Sequence, residues 1–154
     1  MKPAIIVFLA ILALVALIAG FTVMQTTSDA GKVPLTICTD RDSYSLIMSS
    51  TVGIGLTPGY PASVDNRTVS FRWQTDYGNF LSWNAPDFKV NERGTNVTID
   101  NGKIYWSYLS EDGKKQRPPV QVTLTMIDRA TGKELGNARL EIGWDDRDNA
   151  VVRA

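Results

Sequence analysis

Histidine is absent from this chain of 154 residues, and cysteine occurs once, at Cys38. The first absence removes Ser-His-Asp and Cys-His catalytic arrangements and the imidazole ligands of most catalytic zinc sites. The second excludes an intrachain disulfide and a cysteine-based zinc cluster. Net charge is missing too, because 16 basic and 16 acidic residues cancel and their signs are interspersed. No positive field is there to draw in nucleic acid, so no nucleic-acid partner is expected. Gly53-Ile54-Gly55 is no phosphate loop, since Pro58 follows and no GK[ST] occurs; there is no S-x-x-K run either.

One stretch lacks charge altogether. Ala4 to Met24, AIIVFLAILALVALIAGFTVM, is broken only by Gly20 and Thr22. As a helix rising 1.5 Å per residue it is about 30 Å long, the thickness of a bilayer's hydrocarbon core. The lipid bilayer is therefore an expected partner. Lys2 and the α-amino group precede the run, while Gln25 to Gly31 carry only Asp29. That asymmetry puts the N-terminus in the cytoplasm and the rest of the chain outside. The alternative is a secretory signal cleaved after small residues such as Ser28 and Ala30, although the apolar run is longer than such signals have. Leu35-Thr36-Ile37-Cys38 does not make a lipoprotein box, because Ile37 stands where a small residue is wanted.

The chain thus divides into an anchor over residues 1–24, a polar tether over 25–32 and one domain over 33–154. The domain reads as all-β. Val33, Leu35 and Ile37 alternate in a first strand, and Val69, Phe71 and Trp73 in a stronger one. Asp76-Tyr77-Gly78-Asn79 predicts a turn that returns Phe80 to Trp83 as the partner strand. Thr51 to Leu56 is expected to be extended and Thr57 to Pro61 to break it. Tyr44 to Met48 fits a strand or a single helical turn. Phe88 and Val90 mark a short strand closed by Glu92 to Gly94. Val97 and Ile99 form another, and Asn101-Gly102 is a hairpin signal leading to Ile104, Trp106 and Tyr108. A charged loop, Ser110 to Arg117, then leads to Pro118-Pro119. Val120 to Met126 and Ala138 to Trp144 alternate around the hairpin loop Asp128 to Gly136. Some seven short strands with frequent turns point to an antiparallel sandwich.

The Phe71-Arg72-Trp73 strand, the Asp76-Tyr77-Gly78 turn and the final hairpin resemble the immunoglobulin-like or PKD-like modules of bacterial surface proteins. The resemblance covers Val33 to Val152. It implies an immunoglobulin-like β-sandwich outside the cell and carries over no catalytic residue. The cysteine pair that brackets the core tryptophan in antibody domains is missing.

Two acidic clusters stand out: Asp40 and Asp42, and Asp145, Asp146 and Asp148. Converging, they would offer calcium the hard oxygen ligands it takes; as solvated loops they would simply end strands. Neither cluster has EF-hand spacing. Paired carboxylates could also hydrolyse glycosides, a reading kept only because it needs no histidine. Trp73, Trp106 and Trp144 are expected in the core. Tyr44, Tyr60, Tyr77, Trp83 and Tyr105 are expected in loops or on the outer strand face, and Tyr77, Trp83 and Tyr105 are the candidate ligand-binding rings. Cys38 is expected to be a buried, inert thiol. Asn66-Arg67-Thr68 and Asn96-Val97-Thr98 are glycosylation sequons. These readings lead to a non-catalytic binding, accessory or structural module at the cell surface. Its partner would be an unknown protein or, in the alternative, a cell-wall glycan.

Overall fold

Period-two burial sets the architecture. The computed structural model describes residues 31–84, 89–100, 102–108 and 117–153, and they contain no helix. Eleven strands form: β1 (Thr36–Thr39), β2 (Ser43–Tyr44), β3 (Ile54–Gly59), β4 (Val69–Thr75), β5 (Asn79–Asn84), β6 (Lys89–Gly94), β7 (Asn96–Ile99), β8 (Ile104–Ser107), β9 (Val120–Asp128), β10 (Glu134–Trp144) and β11 (Ala150–Arg153). They make two antiparallel sheets, ordered β1-β3-β8-β5-β6 and β2-β11-β10-β9-β4-β7. Among the described residues no helix is long and apolar enough to cross a membrane. The apolar run Ala4 to Met24 and most of the charged loop from Ser110 lie outside the described residues.

Both sheets turn their apolar faces into one core. Ile37, Ile54, Leu56, Phe80, Ile104 and Trp106 come from the first. Val69, Phe71, Trp73, Val122, Leu124, Met126, Leu140 and Ile142 come from the second. Trp73 of β4 meets Phe80 of β5 across the interior at 6.3 Å. Each large side chain buried this way contributes about 1.5–3 kcal/mol of transfer free energy. Trp144 is only half-buried, at the margin of this core.

Several local signals lead elsewhere than the sequence predicts. The turn at Asp76 to Asn79 forms, with Gly78 at φ 75°, but it does not make a hairpin. β4 is already paired on both sides, by β9 and β7, so β5 has no edge to join and passes to the other sheet. Trp106 holds that corner: its Nε1–H donates to the Tyr77 carbonyl at 2.8 Å. A Cβ on Gly78 would run into the Trp106 ring and the Ser107 carbonyl. The hairpin expected at Asn101-Gly102 is likewise a crossing, from β7 in one sheet to β8 in the other; Asn101 itself lies outside the described residues.

Glu92 to Gly94 is strand rather than turn, and β6 shifts register against β5 there. The sheet change follows at once: Gly94 has φ 81°, and only Thr95 separates β6 from β7. Phe88 lies outside the described residues. Thr57 to Gly59 extend β3 instead of breaking it. β8 pairs only with Ile54 to Leu56, so beyond Leu56 that side of β3 is an edge, where proline's missing N–H is tolerated.

Tyr44 is buried rather than outward-facing, its ring edge-on to Tyr108 at 5.8 Å. Cys38 is exposed, because no layer covers the outer face of β1. The β9–β10 hairpin is as predicted, with a bulge between Glu134 and Gly136.

The two core indoles differ in one respect that a mutation can expose. Trp73 Nε1 is buried with no partner among the described residues, whereas Trp106 Nε1 is bonded. Trp106→Phe leaves the Tyr77 carbonyl with only the Thr75 hydroxyl, which donates to it at 2.7 Å, while Trp73→Phe removes an unpaired donor. Trp106→Phe should therefore cost about 0.5–1.5 kcal/mol more than Trp73→Phe in urea denaturation. Equal losses would show that the bond does not hold the corner.

Candidate functional site

The alternation that buries Phe80, Ile104 and Trp106 turns their neighbours outward. Leu81 and Trp83 on β5 and Tyr105 on β8 consequently share the outer face of the first sheet, over which no further strand layer lies among the described residues. Leu81 pairs across the strands with Tyr105, and Trp83 with Val90 of β6. The Trp83 and Tyr105 rings meet edge-on, 5.9 Å apart at 65°. Val90, 44% exposed, completes an apolar strip that runs out to β6, the strand at the sheet's edge.

A charged group borders the strip. The Lys103 ammonium lies 4.9 Å from the Tyr105 ring centre and donates to the Asp40 carboxylate. Asp40 also accepts Arg41 Nε–H at 3.0 Å and the Gly55 amide at 2.8 Å. Burial alone would raise the Asp40 carboxyl. The bonds from Lys103, Arg41 and Gly55 outweigh it and hold the group below the usual carboxylate range. Gly55 permits the arrangement, since a Cβ there would collide with the Lys103 stem and Asp40 Oδ2.

Of the three candidate rings, the structure brings Trp83 and Tyr105 together and leaves Tyr77 elsewhere. Tyr77 is half-buried at the β4–β5 corner, edge-on to Trp144 at 6.1 Å. Tyr60 is half-buried too, stacked on Phe71 at 5.3 Å. Leu81, Val90 and Lys103 were missed. Leu81 had a signal, being next to Phe80 in an alternating run; Lys103 had none, as its role depends on the fold bringing Asp40 to it.

Of the five acidic side chains in the two clusters, those of Asp40 and Asp145 are engaged in local bonds, while Asp42 and Asp148 take part through their main-chain carbonyls. The main-chain carbonyl of Asp42 accepts the Val152 amide at 2.8 Å. Asp145 accepts the amides of Arg147 and Asn149, at 2.8 and 2.9 Å, and Asn149 Nδ2–H at 2.8 Å. These bonds, those from Asn149 first, hold its carboxyl below the usual range. Asp148 takes a left-handed φ of 60°, a conformation aspartate tolerates better than most residues, and its carbonyl accepts Tyr108 Oη–H at 3.1 Å. Asp146 is exposed beside them. The segment Asp145 to Asn149 is thus a tight β10–β11 turn. Among the described residues no three histidine, cysteine or acidic side chains group so as to hold a metal ion. Comparison with protein-family models, curated proteins and solved structures yields no match.

A carboxylate held low by the fold contributes stability that is present above its unfolded value, near pH 4, and is lost as the pH falls through the folded value. Asp65, Asp128 and Asp145 are held low as well, so a variant must isolate the share of Asp40. The melting temperature of Asp40→Asn should lie below wild type at neutral pH, with the gap closing from about pH 5 to about pH 2. Gly55→Ala should separate Lys103 from Asp40 and move the Asp40 titration upward in a carboxyl NMR titration. A gap independent of pH would show that the pair contributes nothing.

Proposed function

We propose that this chain is a single-pass membrane protein holding an immunoglobulin-like β-sandwich outside the membrane, and that the domain binds another protein without catalysis. The observation that carries the reading is the apolar strip Leu81–Trp83–Val90–Tyr105 on the outer face of the first sheet, continuous with β6, an edge strand among the described residues. Large aromatic area bordered by charge is the composition of protein-binding surfaces, and an edge strand adds unpaired backbone groups beside it. Two antiparallel sheets around one core support the sandwich assignment. The uncharged run Ala4 to Met24, after Lys2, supports the anchor and its orientation.

A glycan is the weaker candidate. Sugar rings stack on flat exposed aromatic faces, and Trp83 and Tyr105 stand at 65° to one another, each half-buried.

The anchor predicts that the full chain stays in the membrane after alkaline carbonate washing, and that protease added to intact cells removes the domain. For the strip, Trp83→Ala combined with Val90→Glu should reduce the yield of crosslinked protein partners in cells at least tenfold while leaving the melting temperature within a few degrees. An unchanged crosslinking pattern would remove the strip from consideration. Retention of the wild-type domain on purified cell-wall glycan, lost in the double variant, would favour the glycan instead.

A further inference from the structure

Three of the large apolar side chains that stand exposed are consecutive in sequence: Leu46 at 37%, Ile47 at 91% and Met48 at 86%. Their loop is built rather than loose. The Ser45 amide donates to Ser49 Oγ at 3.2 Å, the Met48 amide to Ser45 Oγ at 3.3 Å, and the Ser49 amide to the Ser45 carbonyl at 3.1 Å. The serines close one turn and leave the three apolar side chains pointing out of it. The surrounding chain carries no charge from Ser43 through Val64.

The position of this tip in the fold is defined. The chain enters the domain where the Val33 amide donates to the Leu135 carbonyl at 2.7 Å, at the start of β10. The tip follows Tyr44, which pairs with Ala150, which in turn pairs with Trp144 at the end of β10. Entry and tip are therefore separated by the length of β10, about 30 Å at a strand's rise of about 3.3 Å per residue. Aromatic rings sit under the tip: Tyr44, Tyr108 and Trp144 pack together, and Arg117 lies 4.9 and 4.8 Å from the last two.

We propose that Leu46, Ile47 and Met48 insert into the surface of a lipid bilayer, the same one that Ala4 to Met24 crosses, so that the domain lies over on the membrane instead of standing away from it. The inference rests on the anchored reading above. Residues 25–32, fully extended, span about 27 Å. That is enough slack for the entry end to lift while the tip reaches down, and tethering supplies the high local concentration that makes a three-residue insertion sufficient. Protruding apolar side chains within an uncharged stretch of chain, over tyrosine and tryptophan, are the chemistry of an interfacial contact. At this end Asp145, Asp146 and Asp148 outnumber Arg147 and Arg117, so the contact favours a zwitterionic surface over an anionic one.

The test uses the full chain with Cys38→Ser, reconstituted in phosphatidylcholine vesicles. A single bimane-labelled cysteine is placed by Ile47→Cys or, as control, by Thr98→Cys on the outer side of β7. Label at 47 should be quenched by doxyl lipids at least threefold more than label at 98, and the difference should shrink when phosphatidylglycerol replaces a third of the lipid. Label at 47 that aqueous iodide quenches as fully as label at 98, with no lipid quenching, overturns the insertion and leaves the tip to a protein in the aqueous phase. Alkaline flotation of the same vesicles separates the two readings. A chain that floats with its label in water contradicts the tip alone, whereas a chain stripped from the vesicles contradicts the anchor and the insertion with it.

Discussion

The hydrogen bond from the Trp106 indole to the Tyr77 carbonyl fixes the corner on which the rest of the fold depends. At that corner the chain leaves one sheet for the other. Had β5 folded back on β4, it would have had to displace β7 or β9, each of which pairs with β4 along its length. By crossing, β5 instead lines up with β8, placing Phe80 opposite Trp106 and both side chains inside. The indole also meets Tyr108 at 5.9 Å and Trp144 at 6.4 Å, so one side chain joins the corner, the core and the aromatic group at that end of the molecule.

The proposed binding surface is a by-product of the same crossing. Once Phe80 faces inward, Leu81 and Trp83 must face outward, because strand side chains alternate. No further strand layer lies over that face among the described residues, so Val90 stays exposed and Tyr105 half-exposed. The apolar tip at Leu46 to Met48 arises differently: a short strand, β2, ends at Tyr44, and one serine-bounded turn leaves the edge of the other sheet. The two apolar features thus occupy different parts of the domain, the proposed protein-binding strip on a sheet face and the proposed bilayer contact at an end.

How much of this was legible in the sequence depends on the range of the interaction concerned. Alternation is local, so the strands around Phe71, Trp106, Leu124 and Leu140 could be read, and so could the core side of each. Turn residues are local as well, and Gly78, Gly94 and Gly102 do adopt the positive φ that such signals imply. What a turn cannot specify is which sheet the next strand joins. For β5 that is decided by how many partners the preceding strand already has, and β4 acquires its second partner from residues about fifty positions later. The misreading of Asp76 to Asn79 has this cause; β6 and β7 each end a sheet, so the number of partners does not account for the crossings that follow Glu92 to Gly94 and Asn101-Gly102. Pro58 was misread for a related reason, since an edge is a property of the assembled sheet. The candidate rings were found by type, but grouping them needed the register that pairs Leu81 with Tyr105 and Trp83 with Val90; without it Tyr77 could not be told apart from the other two.

The whole arrangement depends on β4 and β5 belonging to different sheets. Backbone nuclear Overhauser contacts in the isotope-labelled protein test it directly. The account predicts cross-strand contacts between Phe80 and Trp106 and between Trp73 and Leu124, with none pairing β4 to β5 across the Asp76–Asn79 turn. A ladder of contacts running back from Phe80 along Thr75 and Trp73 would contradict it.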